Sequence, residues 1–223
     1  MTRLPVDPEG FIRANTALET PSMVPEFKLW LASEYVPIWQ ATEAWLEEQN
    51  VDPPYWAFCW PGGQAIARYL LDHPTAVRGK TVIDFAAGSG VSAMAAARAG
   101  ATRVIANDID RLSLVAARLN AEANGLALDL SQDDWLAGPD GEPEAEVVIA
   151  GDVCYEREMS ARALAWLRSH ANRGRLVLLG DPGRNYFSAQ GLEEKERYRI
   201  PTTLQLENRG MRETVVWRVL PLP

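Results

Sequence analysis

Positive charge is scarce in this chain. Its 22 Lys and Arg stand against 30 Asp and Glu, for a formal net charge of −8. Proteins that grip nucleic acid neutralise phosphates with a basic face. Here the arginines are scattered, and the one dense charge run, Glu193-Glu194-Lys195-Glu196-Arg197, mixes both signs. Nucleic acid is therefore disfavoured as a partner. Cysteine and histidine are equally sparse: Cys59 and Cys154, His73 and His170. None stands at metal-ligand spacing, so neither a metal site nor a His-based catalytic triad is expected. No apolar stretch approaches the ~20 residues of a membrane span. The N-terminus lacks the basic region and apolar run of a secretion signal. A cytoplasmic protein without a membrane partner is the expectation. No apolar stripe is left without a place in the core, which points to a monomer.

What is present suits a folded enzyme. With 223 residues, 47% of them hydrophobic, the chain is long enough for one well-cored domain and a short appendage. Residues 1–20 read as irregular. Residues 25–49 read as two helical pieces: Phe27, Leu29, Trp30 and Leu31 mark the first, and Ile38, Trp39, Trp45 and Leu46 the second, with Pro37 between them. This gives an N-terminal helical extension over 1–50 and a main domain over 51–223.

In the main domain, strand and helix alternate. Strands are expected at 81–84, 103–107, 126–130, 146–150 and 175–179. Helices are expected at 63–72, 91–99, 111–124 and 160–169, and a turn at 139–143. Gly100 and Gly125 stand where helices stop. Such alternation predicts a parallel sheet with helices on both faces. The β-rich runs 202–206 and 213–219, on either side of Asn208-Arg209-Gly210, predict a closing antiparallel hairpin. The whole is an α/β, Rossmann-like seven-stranded sheet, mostly parallel.

The first strand runs into Asp84-Phe85-Ala86-Ala87-Gly88-Ser89-Gly90, and a helix follows. Small residues let backbone approach a cofactor at the carboxyl end of a strand. Gly88 and Gly90 fit a dinucleotide-type loop, but Ala93 holds its third glycine position. Asp84 just ahead would repel a pyrophosphate, whereas it suits the ammonium and sulfonium of S-adenosylmethionine. Asp108, 24 residues beyond Asp84, ends the next strand, near the offset of an acid that grips ribose hydroxyls. Ile109 can pack on adenine. Asp134 can accept from its amino group, and Trp135 can stack or wall the ring. Separately these are a tight turn, a helix N-cap and a solvated loop acid. Their order after successive strands favours the adenosyl cofactor over NAD.

Asp152 follows the fourth strand, with Tyr155 three residues on. Methyl transfer needs a nucleophile lone pair aimed in line at the methyl carbon. A lysine amine, with pKa about 10.4, must first lose a proton. Asp152 can accept an N–H from that amine, and Tyr155 can wall its channel. The competing reading makes Asp152 a helix cap and Tyr155 a core residue. Cys154 reads as a small buried filler.

With these residues in place, the chain resembles the seven-strand protein-lysine methyltransferases, whose motif after strand four is Asp/Glu-x-x-Tyr/Phe, here Asp152 to Tyr155. Within that group it most resembles the branch acting on the electron transfer flavoprotein β subunit. The similarity lies in the stretch from Pro54 to Ala65 that contains Trp60-Pro61-Gly62-Gly63-Gln64, in Arg68 to Asp72, in Ala106 to Asp110 and in Gly180-Asp181-Pro182-Gly183-Arg184. It implies S-adenosylmethionine as cofactor, held by the glycine loop, Asp108 and Trp135. Trp60 would line the cofactor pocket, Gly151 would border it, and Asp152 would serve the target lysine. Ala86 departs from the pattern, standing where the family often has Gly. A ribosomal protein or a small molecule as methyl acceptor, and a cofactor-binding regulator without catalysis, remain alternatives.

Overall fold

The computed structural model describes residues 5–32, 53–138, 142–202 and 210–221. The second predicted helical piece, most of the 202–206 arm, and parts of the predicted 139–143 turn and of the 208–210 turn lie outside them.

The element order is helix α1 (Pro8–Asn15), strands β1 (Ala17–Glu19) and β2 (Leu29–Leu31), then α2 (Pro61–Asp72), β3 (Thr81–Phe85), α3 (Val91–Arg98), β4 (Arg103–Asn107), α4 (Arg111–Ala123), β5 (Asp129–Ser131), β6 (Val147–Gly151), α5 (Arg157–Asn172), β7 (Leu176–Asp181), β8 (Leu192–Pro201) and β9 (Met211–Val219). The main sheet has seven strands in the order β5-β4-β3-β6-β7-β9-β8. β5, β4, β3, β6 and β7 pair in parallel, and β9 pairs antiparallel to both β7 and β8. The chain runs outward from β3 to β4 and β5, then returns to β6 on the other side of β3. That reversal opens a crevice at the carboxyl ends of β3 and β6, where ligands bind in such sheets.

Strand residues alternate between two apolar layers, as the pleat demands. Val82, Val104, Val147, Ile149 and Leu178 join a core with Ala65, Ile66 and Leu70 of α2 and Ala93, Met94 and Ala96 of α3. Ile83, Phe85, Ile105, Val148, Ala150 and Val177 join Ala163, Leu167 and Ala171 of α5 on the other face.

The N-terminal segment differs from expectation. Residues 8–15 are helical rather than irregular, started by Pro8 and capped by Asp7, whose Oδ1 accepts from Gly10 N at 2.9 Å. Leu29, Trp30 and Leu31 are a strand rather than a helix, paired antiparallel with Ala17–Glu19. Partners distant in sequence decide this: Lys28 N donates to Asn124 Oδ1 (2.9 Å), the C-cap of α4, and Trp30 N to Asn120 Oδ1 (2.7 Å), within α4. Ile12 packs with Trp56, Leu112, Ala116 and Leu119, tying α1 to the main domain.

The closing hairpin exists, but its first arm is Leu192–Pro201, upstream of the expected one. Its mixed charges are those of an edge strand. Arg197 bonds Glu194 in its own strand (2.7 Å) and Glu213 across the hairpin. Such charge protects an exposed edge from pairing with other chains. β5 is also shorter and later than the 126–130 expected.

Candidate active site

Four strand ends build the site. After β3, Ala86 turns into the left-handed region at φ 54°, which non-glycine residues rarely occupy, and Gly88 and Gly90 follow at φ 51° and 77°. Ala86 therefore keeps the turn for which the family often uses Gly, at a strain of about 1 kcal/mol. A β-carbon on Gly90 would stand 2.8 Å from that of Ala117, so glycine there lets the loop lie against α4. At Gly88 the same direction is open space.

Asp84 lies beneath this loop, 2% exposed, and its Oδ2 accepts from Ala93 N (2.9 Å) in the first turn of α3. Burial pushes its carboxyl up to about 8, and the nearby Asp108 carboxylate adds to the rise. Asp84 thus supports the loop from below rather than facing the crevice.

Asp108 follows β4. Its Oδ2 accepts from Gly88 N (3.0 Å) and its Oδ1 from Asp110 N (2.9 Å). The N-cap of α4 is Asp110, which accepts from Leu112 N and Ser113 N, so Asp108 is not the cap. Burial raises Asp108 to about 6, against the lowering effect of its backbone hydrogen bonds. Ile109 beside it is 68% exposed.

After β5, Asp134 is exposed and its Oδ1 holds a turn through Leu136 N (3.0 Å) and Ala137 N (3.2 Å). Trp135 corrects the sequence reading. It is 2% exposed and its ring stacks on Trp166 of α5 at 6.2 Å, inside the core, so it presents no open face for a ligand ring.

After β6, Asp152 also adopts a left-handed conformation, φ 58°. It is 9% exposed. Its Oδ2 accepts from Gly63 N (3.1 Å) in the first turn of α2, and its Oδ1 accepts from Arg184 Nη2 (2.7 Å) and Nε (3.2 Å). The cap alternative holds in part: Asp152 caps α2, which precedes it by 80 residues of chain or more, not the helix that follows. Tyr155 is 46% exposed and so is not a core residue.

Glycines make this closeness possible. A β-carbon on Gly62 would stand 2.5 Å from Asp152 Oδ2 and also strike the Gly180 carbonyl; one on Gly151 would lie 2.7 Å from Gly63 N. The start of α2 therefore rests directly on the ends of β6 and β7, backbone to backbone.

An aromatic cluster adjoins the Arg184 guanidinium that pairs with Asp152. Tyr55 lies 5.5 Å from Tyr155 and 6.1 Å from Trp60, whose Nε1 donates to Tyr55 O (2.8 Å). The Arg184 guanidinium lies 5.4 Å over the Trp60 ring. Burial pushes up the Tyr155 hydroxyl and takes the Cys154 thiol to about 12, so Cys154 is a filler and no nucleophile. Sequence reasoning assigned no role to Tyr55 or Arg184. Both lie in stretches that carry the family resemblance, but only folding pairs Arg184 with Asp152 and sets Tyr55 against Tyr155.

A profile of the ribosomal protein L11 methyltransferase family matches residues 68–152. The "Electron transfer flavoprotein beta subunit lysine methyltransferase" of Xenopus laevis is 38% identical, over 96% of this chain and 87% of its own. The human protein of that name is 35% identical, over 97% and 84%. The chain belongs to this methyltransferase family. Family members named for the flavoprotein β subunit thus align with nearly the whole chain. Among solved structures, the ribosomal protein L11 methylase of Lactobacillus delbrueckii subsp. bulgaricus superposes at a TM-score of 0.51 with 24% identity, covering 71% of this chain and 78% of its own. The magnesium protoporphyrin IX methyltransferase of Synechocystis, solved with bound S-adenosylmethionine, does so at 0.52 with 18% identity, covering 70% and 77%. These likenesses establish the class I methyltransferase fold. Among the described residues, no helix is long and apolar enough to cross a membrane.

Proposed function

We propose that this enzyme transfers a methyl group from S-adenosylmethionine to a lysine side chain of the electron transfer flavoprotein β subunit. The observation that carries the reading is Asp152: a largely buried carboxylate at a central strand end, hydrogen-bonded at both oxygens, whose partner Arg184 lies over Trp60 in a ring cluster with Tyr55 and Tyr155.

The crevice suits the cofactor. The open space at Gly88, the exposed Ile109 and the remaining acceptor capacity of Asp108 fit an adenosyl group. The Asp108 carboxylate at the glycine loop opposes a pyrophosphate. When bound, S-adenosylmethionine supplies an electrophilic methyl group on a positive sulfur. Gly88, Gly90, Asp108, Ile109 and Gly151 border it in this reading, with Trp60 between it and the substrate mouth. Ala86 keeps the loop's turn, and Asp84 and Asp134 act through loop structure.

The remaining chemistry belongs to the chain. Tyr55 and Tyr155 exclude water from the lysine stem and favour a cationic head on entry. Asp152 accepts an N–H of the neutral amine and aims the nitrogen lone pair. The family profile shared with the L11 enzymes ends at Asp152 and omits Tyr55, Trp60, Tyr155 and Arg184. Substrate choice therefore rests on the part held in common with the flavoprotein-named relatives.

The test is to incubate the purified protein and its methyl donor with unmethylated electron transfer flavoprotein, then map the product by mass spectrometry. Methyl groups on lysine in the β subunit are expected. An unmodified flavoprotein alongside measured cofactor binding overturns the substrate assignment.

A further inference from the structure

Arg184 is held from three directions. Its Nη2 and Nε both reach Asp152 Oδ1, at 2.7 and 3.2 Å. Its guanidinium lies over Trp60. Its backbone N–H, with that of Gly183, donates to Asp181 Oδ1 at 2.8 and 2.7 Å, in a turn that Gly183 permits at φ 78°. The paired side chains are only 15% and 11% exposed. Breaking such a pair strands a buried charge, so the pair persists as a fixed part of the site.

Two consequences follow. The Asp152 carboxylate is pinned at both oxygens, by Arg184 on one side and Gly63 N–H on the other, which fixes its orientation. Its negative charge is also offset by the guanidinium bonded to it. An arriving lysine ammonium thus meets a guanidinium beside the acceptor, and this like charge favours the neutral amine.

We propose that Arg184 is a positioning residue that orients Asp152 and makes the pocket select the neutral form of the incoming lysine amine, the ammonium proton passing to solvent as the side chain enters. This rests on the lysine-methyltransferase reading above.

Other charged and titratable groups face the pair. Asp181 comes from the end of β7, Cys154 from the turn after β6, and Cys59 from the segment before α2; Tyr55, Asp108 and Glu156 bear on the neighbouring Tyr155. Burial drives both thiols far above neutrality. Asp181 is raised to about 6, chiefly by burial, and so titrates within the working range. It needs its own control.

The experiment has a binding arm and a kinetic arm. Calorimetry in two buffers of different ionisation enthalpy counts the protons released as the cofactor-free enzyme binds electron transfer flavoprotein near neutral pH. About one proton per complex is expected for the native enzyme, clearly fewer for Arg184→Ala, and recovery with Arg184→Lys. In the kinetic arm, the acid limb of kcat moves up by about one pH unit in Arg184→Ala and returns in Arg184→Lys. The limb persists in Asp181→Asn. An equal proton count and an unmoved limb, with activity merely lower at every pH, overturn the proposal and leave Arg184 a structural strut. Faster turnover in Arg184→Ala overturns it differently, marking Arg184 as an occupant that the lysine must displace. If mass spectrometry finds no methylated lysine with the native enzyme, the activity assignment fails, and the proton count still decides the part played by Arg184.

Discussion

Gly88 N–H donates to Asp108 Oδ2 at 3.0 Å, so the glycine loop after β3 is clasped by the carboxylate that ends β4. One side chain thereby shapes the loop, and in the proposed reading it also accepts from the ribose hydroxyls.

Cofactor affinity should consequently depend on pH. Asp108 sits at about 6, so it is ionised above that value and loses its acceptor role below it. The dissociation constant for S-adenosylhomocysteine, measured by calorimetry, is expected to be flat above pH 7 and to rise by up to tenfold per unit below pH 6. Asp108→Asn should bind tenfold to a hundredfold more weakly at pH 8, as for a lost charge-assisted hydrogen bond of about 1.5–3 kcal/mol, and should lose the dependence.

Stability should depend on pH through Asp84. Its folded pKa, about 8, lies above the ordinary carboxylate value, so the folded state holds its proton more tightly than the unfolded state. The resulting stability is complete below about pH 4 and is lost as pH rises through 8. Asp84→Asn, which keeps an acceptor for Ala93 N–H, should flatten the decline between about pH 4 and 8 in urea denaturation of the cofactor-free protein.

The left-handed turn at Ala86 sets a steric test. Ala86→Val places a β-branched side chain at φ 54° and should cost about 2 kcal/mol or more, with weaker cofactor binding. Ala86→Gly should change stability by less than about 0.5 kcal/mol, because relief of strain is offset by a more flexible unfolded chain. Chemical denaturation of the two variants checks the contrast.

Close backbone packing sets another. Gly62→Ala would drive a methyl group into the Gly180 carbonyl and Asp152. A loss of about 3 kcal/mol is expected, read as a lowered Tm. Gly138→Ala, with nothing near its added carbon, should leave Tm almost unchanged.

Much of this architecture was legible from period and punctuation. β3, β4, β6 and β7 are continuous apolar runs because both faces of a parallel sheet are buried, and Gly100 and Gly125 end their helices. Parts decided by distant partners were not legible. Leu29–Leu31 is a strand because Asn120 of α4 and its C-cap Asn124 bind its backbone and that of Lys28, whereas its apolar residues alone suit a helix. β8 was hidden by its charges, which an edge strand tolerates. At the site, Asp152 and Tyr155 stood out because they follow a buried strand. Trp135 sat at the right offset, but its indole turns inward to Trp166. Arg184 carried no local signal, because its meaning comes from Asp152, 32 residues earlier.

The central claim is that Asp152 directs the amine and does not build the cofactor pocket. The most direct measurement compares Asp152→Asn with the native enzyme, reading S-adenosylhomocysteine affinity by calorimetry and single-turnover methylation of the flavoprotein β subunit at saturating donor. Affinity within about threefold of native, with the methylation rate at least a hundredfold lower, is the predicted result. Near-native methylation by Asp152→Asn would contradict the account.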